Sequence, residues 1–225
     1  MAAEDLMQEL LYYTPQIWCS DNTDAIERIK IQYGTSFAYP SCTVGSHVSA
    51  VPNHQTGRTT ELAARAAVAM AGSFGYELDL NLLTEEEKEQ VRKQIENYHR
   101  FEMLIRQGRY YRLTDVWKKR EYAAWEYCRP DGSEALVTVV TLDTQCNPAT
   151  EYVKLRGLKE DTKYRVEVVG TKTDGTNGQH INETPNAVES DYFTGAQLVH
   201  AGVPIPRMDN EYRAWQMYIK EMQEN

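Results

Sequence analysis

Three strand-to-helix units in the first 108 residues constrain the fold more than any other feature. Residues 16–34, 41–73 and 76–107 each contain a short strand pattern followed by a helix with apolar residues at helical spacing. Successive units of this kind build a parallel sheet through right-handed crossovers. Three units are too few to close a barrel, so this sheet must keep an open edge. We therefore expect an α/β architecture with an incomplete parallel sheet over residues 1–108.

The first unit places a carboxylate directly after a predicted strand. Ile17 and Trp18 favour a short buried strand, and Gly34 favours the end of the following helix. Asp21 follows the strand at its C-terminal end, which is where βα architectures present catalytic groups. A simpler interpretation is that Asp21 only caps a helix beginning near residue 22. The spacing alone leaves both interpretations open.

A second carboxylate in this unit is expected to have a partner of its own. Asp24 and Arg28 are four residues apart, so they are predicted to pair on one face of the helix. If Asp24 is engaged in this way, Asp21 remains available to point away from the helix. In the third unit, the capping-box sequence at residues 84–87 and Gly108 predict the two ends of a long helix.

The pattern changes at residue 109 from long helices to short alternating segments. The final segment, Tyr212–Met222, fits either a strand or a short helix. We expect residues 109–225 to form an antiparallel β-sandwich. The other predicted strands are Tyr110–Leu113, Ala123–Cys128, Ala135–Leu142, Tyr152–Leu155, Lys163–Val169 and Ser190–Phe193.

Composition excludes several classes of partner. A formal net charge of −9 argues against binding to nucleic acid or to an anionic membrane surface, because both attract basic proteins. The sequence contains no run of 18 apolar residues and no basic start followed by an apolar segment, so we expect a cytoplasmic protein. The cysteines lack the spacing of a metal site, so we expect reduced thiols and neither metal nor cofactor. They are Cys19, Cys42, Cys128 and Cys146.

Several segments resemble one enzyme family. Residues 18–28, Trp-Cys-Ser-Asp-Asn-Thr-Asp-Ala-Ile-Glu-Arg, are similar to the Ser-Asp-x-x-Asp-x-x-x-Arg segment of the family 36 glycoside hydrolases, the bacterial α-galactosidases. The resemblance extends over nearly the whole chain from about residue 11 and is looser after residue 120. Further similar segments are residues 11–16, 44–60, 70–80 and 201–206.

The resemblance implies a fold, an activity and a role for Asp21. The chain would hold the last three βα units of a (β/α)8 TIM barrel in residues 1–108, followed by the β-sandwich in residues 109–225. Asp21 would be the general acid/base in the retaining hydrolysis of α-galactosides such as melibiose or raffinose. Asp24 and Arg28 would support the loop around it. The expected partners are α-galactoside oligosaccharides and either further copies of the chain or a missing N-terminal portion of the same enzyme.

The sequence also lacks parts of the family pattern. The family nucleophile lies in a Lys-Trp-Asp segment on an earlier barrel strand, and a Cys-x-x-Gly loop helps to hold the galactose; neither segment occurs here. The resemblance therefore implies a C-terminal portion that carries one of two catalytic carboxylates and is inactive alone. A non-catalytic remnant, a carbohydrate-binding or assembly module, and a transglycosylase of raffinose-synthase type remain as alternatives.

The remaining candidate residues each have a structural and a functional interpretation. His47, His54, Asn53 and Arg58 lie in a predicted loop, where they could line a pocket or a subunit contact, although we favour a role in holding the loop. Trp18 could stack on a sugar, but a tryptophan in a strand is more often part of the core. The same applies to the tryptophans of the β-rich half, which are Trp117, Trp125 and Trp215.

Overall fold

The computed structural model describes residues 12–144, 150–169, 192–205 and 211–223. The helical spacing of Leu6, Leu10 and Leu11 predicts a short amphipathic helix in residues 1–13, and most of it lies outside these residues. The state of Cys146 and part of the strand predicted at 190–193 also lie outside them. Within the described residues, no helix is both long enough and apolar enough to cross a membrane.

Within residues 14–108, the structure contains three α-helices and a small parallel sheet. Strands β1 and β2 pair in parallel, from Gly45 opposite Ser73 to Ser49 opposite Glu77. The strand predicted before the first helix is reduced to a single parallel bridge between Ile17 and Val44. The elements are α1 (Ala25–Thr35), β1 (Gly45–Ser49), α2 (Leu62–Ala69), β2 (Ser73–Glu77) and α3 (Glu85–Gln107).

The ends of α1 differ from the prediction. The N-cap is Asp24 and not Asp21, because the Asp24 carboxylate accepts hydrogen bonds from the amides of Ile26 and Glu27 at 2.9 and 3.1 Å. The helix therefore begins three residues later than expected. It also continues through Gly34 to Thr35, so the predicted stop at Gly34 is wrong.

In the second and third units, some predicted ends of strands and helices are wrong and others are confirmed. Residues 41–43 form a 3-10 turn, and the strand predicted there begins at Gly45. From the sequence, Thr59 or Thr60 is expected to cap the helix predicted at 61–73. This prediction is wrong, because α2 begins at Leu62, after Glu61. By contrast, α3 begins with the predicted capping box, in which Thr84 and Glu87 bind each other's backbone amides, and Gly108 follows it as the C-cap.

A six-stranded antiparallel sheet dominates the second half. Its strand order is β3-β4-β5-β10-β7-β8, and β6 and β9 form a separate antiparallel pair. The final segment, left open by the sequence, is the central strand β10. The strands are β3 (Arg109–Arg112), β4 (Tyr122–Cys128), β5 (Glu134–Thr141), β6 (Tyr152–Val153), β7 (Lys163–Val169), β8 (Phe193–Thr194), β9 (Val203–Pro204) and β10 (Ala214–Glu221).

Both faces of this sheet are covered, but by different parts of the chain. One face packs against β6, β9 and the helical turn Gln197–Ala201, through residues such as Met217 and Leu198. The other face packs against α1 and α3 in a shared apolar core. That core contains Ile29, Phe101, Leu104, Ile105, Trp125, Tyr127, Leu136 and Val140.

A buried tyrosine ties the two halves together with a hydrogen bond. Tyr127, on β4, donates its hydroxyl hydrogen to the carbonyl of Ala71 at 2.6 Å, and its oxygen lies 2.9 Å from Oγ of Ser41. Strand β4 belongs to the large sheet, whereas Ser41 and Ala71 flank the parallel strands β1 and β2. These hydrogen bonds therefore fix the orientation of the large sheet relative to the parallel strands.

Candidate active site

Asp21 lies on an exposed loop between the bridge at Ile17 and the start of α1. The indole Nε1–H of Trp18 donates to Asp21 Oδ1 at 2.8 Å. The side-chain amide of Gln55 donates to the Asp21 backbone carbonyl at 3.3 Å. The carboxyl group is therefore accessible to a ligand, while its loop is held from both sides.

The contacts of the Asp24 side chain differ from the predicted ones. It is only 3% exposed and pairs with the guanidinium of Arg58, not with Arg28. Thr56 Oγ1 also donates to Asp24 Oδ2 at 2.7 Å. The predicted Asp24–Arg28 pair is wrong because Asp24 occupies the N-cap, so its carboxylate turns back over the helix N-terminus and cannot reach along the helix to Arg28.

Arg28 instead binds backbone carbonyl groups beneath the loop. Its guanidinium donates to the carbonyl of Ser20 at 3.2 Å and to the carbonyl of Gly45, and its Nε donates to Gln32 Oε1 at 3.3 Å. The residue is 3% exposed. Arg28 therefore connects the residue preceding Asp21 to the first residue of β1.

The loop between β1 and α2 is fastened to the Asp21 loop. Asn53 donates from Nδ2 to Thr23 Oγ1 at 3.1 Å, and its Oδ1 accepts from the amides of Gln55 and Thr56. Together with the Arg58–Asp24 pair, these bonds confirm the interpretation that Asn53 and Arg58 hold the loop. His54 is exposed on the same loop.

Trp18 and His47 form an aromatic pair beside Asp21. Trp18 is 45% exposed, so the expectation that it belongs to the core is wrong. Its ring centroid lies 4.9 Å from that of His47, which belongs to β1 and not to the loop predicted from the sequence. His47 Nδ1 lies 3.9 Å from Glu77 Oε2, and burial lowers the His47 pKa.

Glu77, Gln55 and Thr56 also lie in this region, although no sequence motif singled them out. Strand alternation could have identified Glu77, because alternate residues of paired parallel strands point to the same face. On β1 and β2, the side chains of Val48 and Tyr76 pack toward the helices. His47 and Glu77 therefore lie on the opposite face, the same face as Trp18. Gln55 and Thr56 carry no local signal.

The other tryptophans do not form a single binding surface. Trp125 and Trp215 are buried on opposite faces of the large sheet. Trp117 is 58% exposed and contacts the ring of Tyr33 edge to face, with 4.8 Å between the ring centroids. The core interpretation holds for the first two tryptophans and is wrong for Trp117. A sugar platform built from all three is excluded by their positions.

The chemistry available at this site is that of a single carboxyl group. Retaining glycoside hydrolysis needs two carboxyl groups about 5–5.5 Å apart. Asp24 is the nearest other aspartate in sequence, but its oxygens are committed to Arg58, Thr56 and the N-terminus of α1. Across the residues described, no group of three or more histidine, cysteine, aspartate or glutamate side chains is arranged to hold a metal ion.

Comparisons with known proteins identify similar sequences over nearly the whole chain. Residues 5–108 match the Melibiase family, and residues 122–219 match the glycosyl hydrolase family 36 C-terminal domain. The bifunctional α-galactosidase/sucrose kinase AgaSK of Mediterraneibacter gnavus is 49% identical over 96% of this chain. The α-galactosidase AgaA of Geobacillus stearothermophilus is 39% identical, also over 96% of this chain. The matched region is 21% of the first relative and 26% of the second.

Solved structures show the same relationship. The galactosidase domain of AgaSK has a TM-score of 0.82 and 49% identity over 95% of this chain and 27% of its own. An AgaA variant from G. stearothermophilus in complex with raffinose also has a TM-score of 0.82, with 38% identity over 95% of this chain and 27% of its own. This chain spans about a quarter of the length of these relatives. It belongs to glycoside hydrolase family 36.

Proposed function

We propose that this chain contributes the acid/base carboxyl group, Asp21, to an α-galactosidase. The observation that carries the proposal is the placement of Asp21: an accessible carboxyl group on a loop held by Arg28, Arg58 and Asn53, at the C-terminal end of parallel strands. Catalytic groups of βα barrels occupy this end. The relatives named above include an α-galactosidase variant solved with raffinose. We infer the same substrate class, terminal α-galactosides, for the enzyme to which this chain belongs.

In the proposed architecture, residues 1–108 are the last three βα units of a (β/α)8 barrel and residues 109–225 are a C-terminal β-sandwich domain. The parallel pair of β1 and β2, extended by the bridge at Ile17, supports this assignment. The layering of the large sheet over β6 and β9 supports the sandwich. A homo-oligomeric state and a cytoplasmic location stay predictions from the sequence.

The proposed mechanism assigns two successive proton transfers to Asp21. As an acid, its carboxyl group protonates the glycosidic oxygen while a nucleophilic carboxylate outside this chain attacks the anomeric carbon. As a base, the resulting carboxylate removes a proton from the water molecule that hydrolyses the glycosyl intermediate. General acid–base catalysis of this kind typically contributes a factor of about 10² to 10⁴ to the rate.

The isolated chain is predicted to release no galactose from raffinose. The displacement needs a second carboxyl group, and Asp24 cannot supply it without breaking its pair with Arg58 and uncapping α1. Galactose release by the purified chain that disappears in Asp21→Asn would contradict this prediction. Coupled enzymatic detection of free galactose is a suitable assay.

A chimera tests the role of Asp21 directly. This chain replaces the matching segment of the AgaSK galactosidase domain, which is 49% identical to it. We expect the chimera to hydrolyse raffinose and Asp21→Asn to lower kcat by about 10²-fold or more. Asp161→Asn, which changes an exposed aspartate in the β-rich half, serves as the matched control and keeps full activity. An active Asp21→Asn chimera would refute the assignment.

The alternative function, a non-catalytic assembly module, requires the β-rich half to fold independently. The shared core of this half with α1 and α3, and the Tyr127–Ala71 hydrogen bond, argue against independence. Limited proteolysis separates the two functions. A stable fragment beginning near Arg109 would support the module, whereas protection of the whole chain supports the enzyme portion.

A further inference from the structure

The hydrogen bond between Trp18 and Asp21 distinguishes the two oxygens of the carboxyl group. The indole Nε1–H can only donate, and it donates to Asp21 Oδ1 at 2.8 Å. The unprotonated oxygen of a carboxylic acid is the better acceptor. When Asp21 is protonated, its hydrogen is therefore expected on Oδ2, facing away from the indole.

The indole ring is itself held by two neighbouring groups. Its centroid lies 4.9 Å from that of the His47 imidazole, with 36° between the ring planes. The guanidinium carbon of Arg28 lies 5.7 Å from the ring centroid, within the range of a cation–π contact. Because Arg28 is buried and anchored to the carbonyls of Ser20 and Gly45, it provides a rigid support.

Two glycines make room for this pair of rings. A Cβ atom at Gly45 would clash with Nε2 of Gln16 and lie 3.1 Å from Cε3 of Trp18, and one at Gly75 would lie 3.1 Å from Cδ2 of His47. Neither glycine has a positive φ, so the backbone conformation does not require glycine at either position. Close contacts with Gln16 and Trp18 favour glycine at position 45, and the contact with His47 favours glycine at position 75. The indole therefore rests on β1 at Gly45, and the imidazole rests on β2 at Gly75.

Burial and the neighbouring charges act on the pKa of His47 in different directions. Burial lowers the His47 pKa foremost, the Glu77 carboxylate opposes this effect, and Arg28 adds to it. The imidazole packs against the Trp18 ring, so the contacts that hold His47 also position the indole.

We propose that Trp18 is a positioning residue that directs the transferable proton of Asp21 to Oδ2, and that His47 and Gly75 act on Asp21 through it. This proposal rests on the proposed acid/base role of Asp21. It adds a route by which residues of both strands set the orientation of the carboxyl group.

Nuclear magnetic resonance of the full chain, labelled with ¹⁵N at its four tryptophans, tests the contact without any activity. Trp18→Phe assigns the Trp18 indole resonance by its loss. We expect Asp21→Asn to move that resonance upfield and to accelerate its hydrogen exchange, because a carboxylate is a stronger acceptor than an amide. The Trp117 resonance should stay unchanged. An unshifted Trp18 resonance in Asp21→Asn would overturn the proposal.

A second pair of variants tests the route through the strands. Gly75→Ala should move the Trp18 indole resonance, because the new methyl group displaces His47. Gly34→Ala, in α1, is the matched control, since its methyl group would make only ordinary van der Waals contact with the ring of Trp117. If neither substitution moves the Trp18 resonance, the claim that His47 and Gly75 act on Asp21 through Trp18 is refuted.

Kinetics of the chimera separate this proposal from the proposed function. Trp18→Phe keeps an aromatic ring beside His47 but loses the N–H donor, so we expect kcat to fall about ten-fold or more with little change in KM. An unchanged kcat would overturn the positioning role even if Asp21→Asn abolishes activity. Conversely, an active Asp21→Asn chimera would refute the acid/base role while the resonance shifts could still establish the contact.

Discussion

Glu126 provides the sharpest test of the energetics of this fold. It lies in the middle of β4 and is completely buried. Strand alternation points it into the same apolar layer as Ala124 and Cys128. Its Oε2 accepts a hydrogen bond from the amide of Arg156 at 2.8 Å, whereas Oε1 has no hydrogen-bond partner among the residues described. Burial raises the Glu126 pKa to about 8.

The pKa of Glu126 determines the sign of the pH dependence. The folded state keeps a proton on Glu126 that the unfolded state, with a pKa near 4.5, has already released. The free energy of unfolding therefore falls as pH rises from about 4.5 to about 8, by about 1.4 kcal/mol per pH unit. Over this window the total is about 5 kcal/mol, and above pH 8 the contribution is constant.

Glu126→Gln removes this titration while keeping an acceptor for the amide of Arg156. We expect the two proteins to have similar stability at pH 5 and the variant to be more stable by up to about 5 kcal/mol at pH 9. Urea unfolding followed by circular dichroism at both pH values measures the difference. Glu96→Gln, on an exposed position of α3, is the matched control and should show no such pH dependence. The reasoning would be refuted if the stability difference between Glu126→Gln and the unmodified chain were the same at pH 5 and at pH 9.

Four further substitutions, at three positions, test individual contacts by urea unfolding. Asp24→Ala removes the cap of α1 and leaves the charge of Arg58 without its closest partner. We expect the free energy of unfolding to fall by about 4 kcal/mol. Asp24→Asn keeps a capping acceptor and should lose about half as much. Tyr127→Phe leaves the buried carbonyl of Ala71 without its donor and should cost about 1–3 kcal/mol. Thr84→Ala breaks the capping box of α3 and should cost about 1 kcal/mol. A loss below half the stated value in any of them would show that water or a rearranged neighbour replaces the contact.

Elements governed by neighbouring residues were predictable from the sequence. The capping box and Gly108 set both ends of α3, because a helix terminus is satisfied by groups within three or four residues. Strands β4 and β7 were located to within one residue, since their content of aromatic and β-branched side chains is a local property. The motif around Asp21 could also be recognised from the sequence, because the residues that carry the resemblance are contiguous.

Contacts between distant residues were not predictable in this way. Asp24 pairs with Arg58, 34 positions away, because the loop after β1 folds back over the start of α1. Nothing local distinguishes this partner from Arg28, which is four residues away and is drawn instead to the carbonyls of Ser20 and Gly45.

The sequence by itself determined the limits of α3 and the positions of β4 and β7, the family and the candidate carboxyl group, because these depend on local patterns and contiguous motifs. The tertiary structure alone decided which face of each element is covered. Trp18 is exposed because its ring lies on the polar face of the parallel strands, while Trp125 is buried because α1 and α3 cover its side of the large sheet. Burial depends on what packs from elsewhere in the chain, and no window of neighbouring residues contains that information.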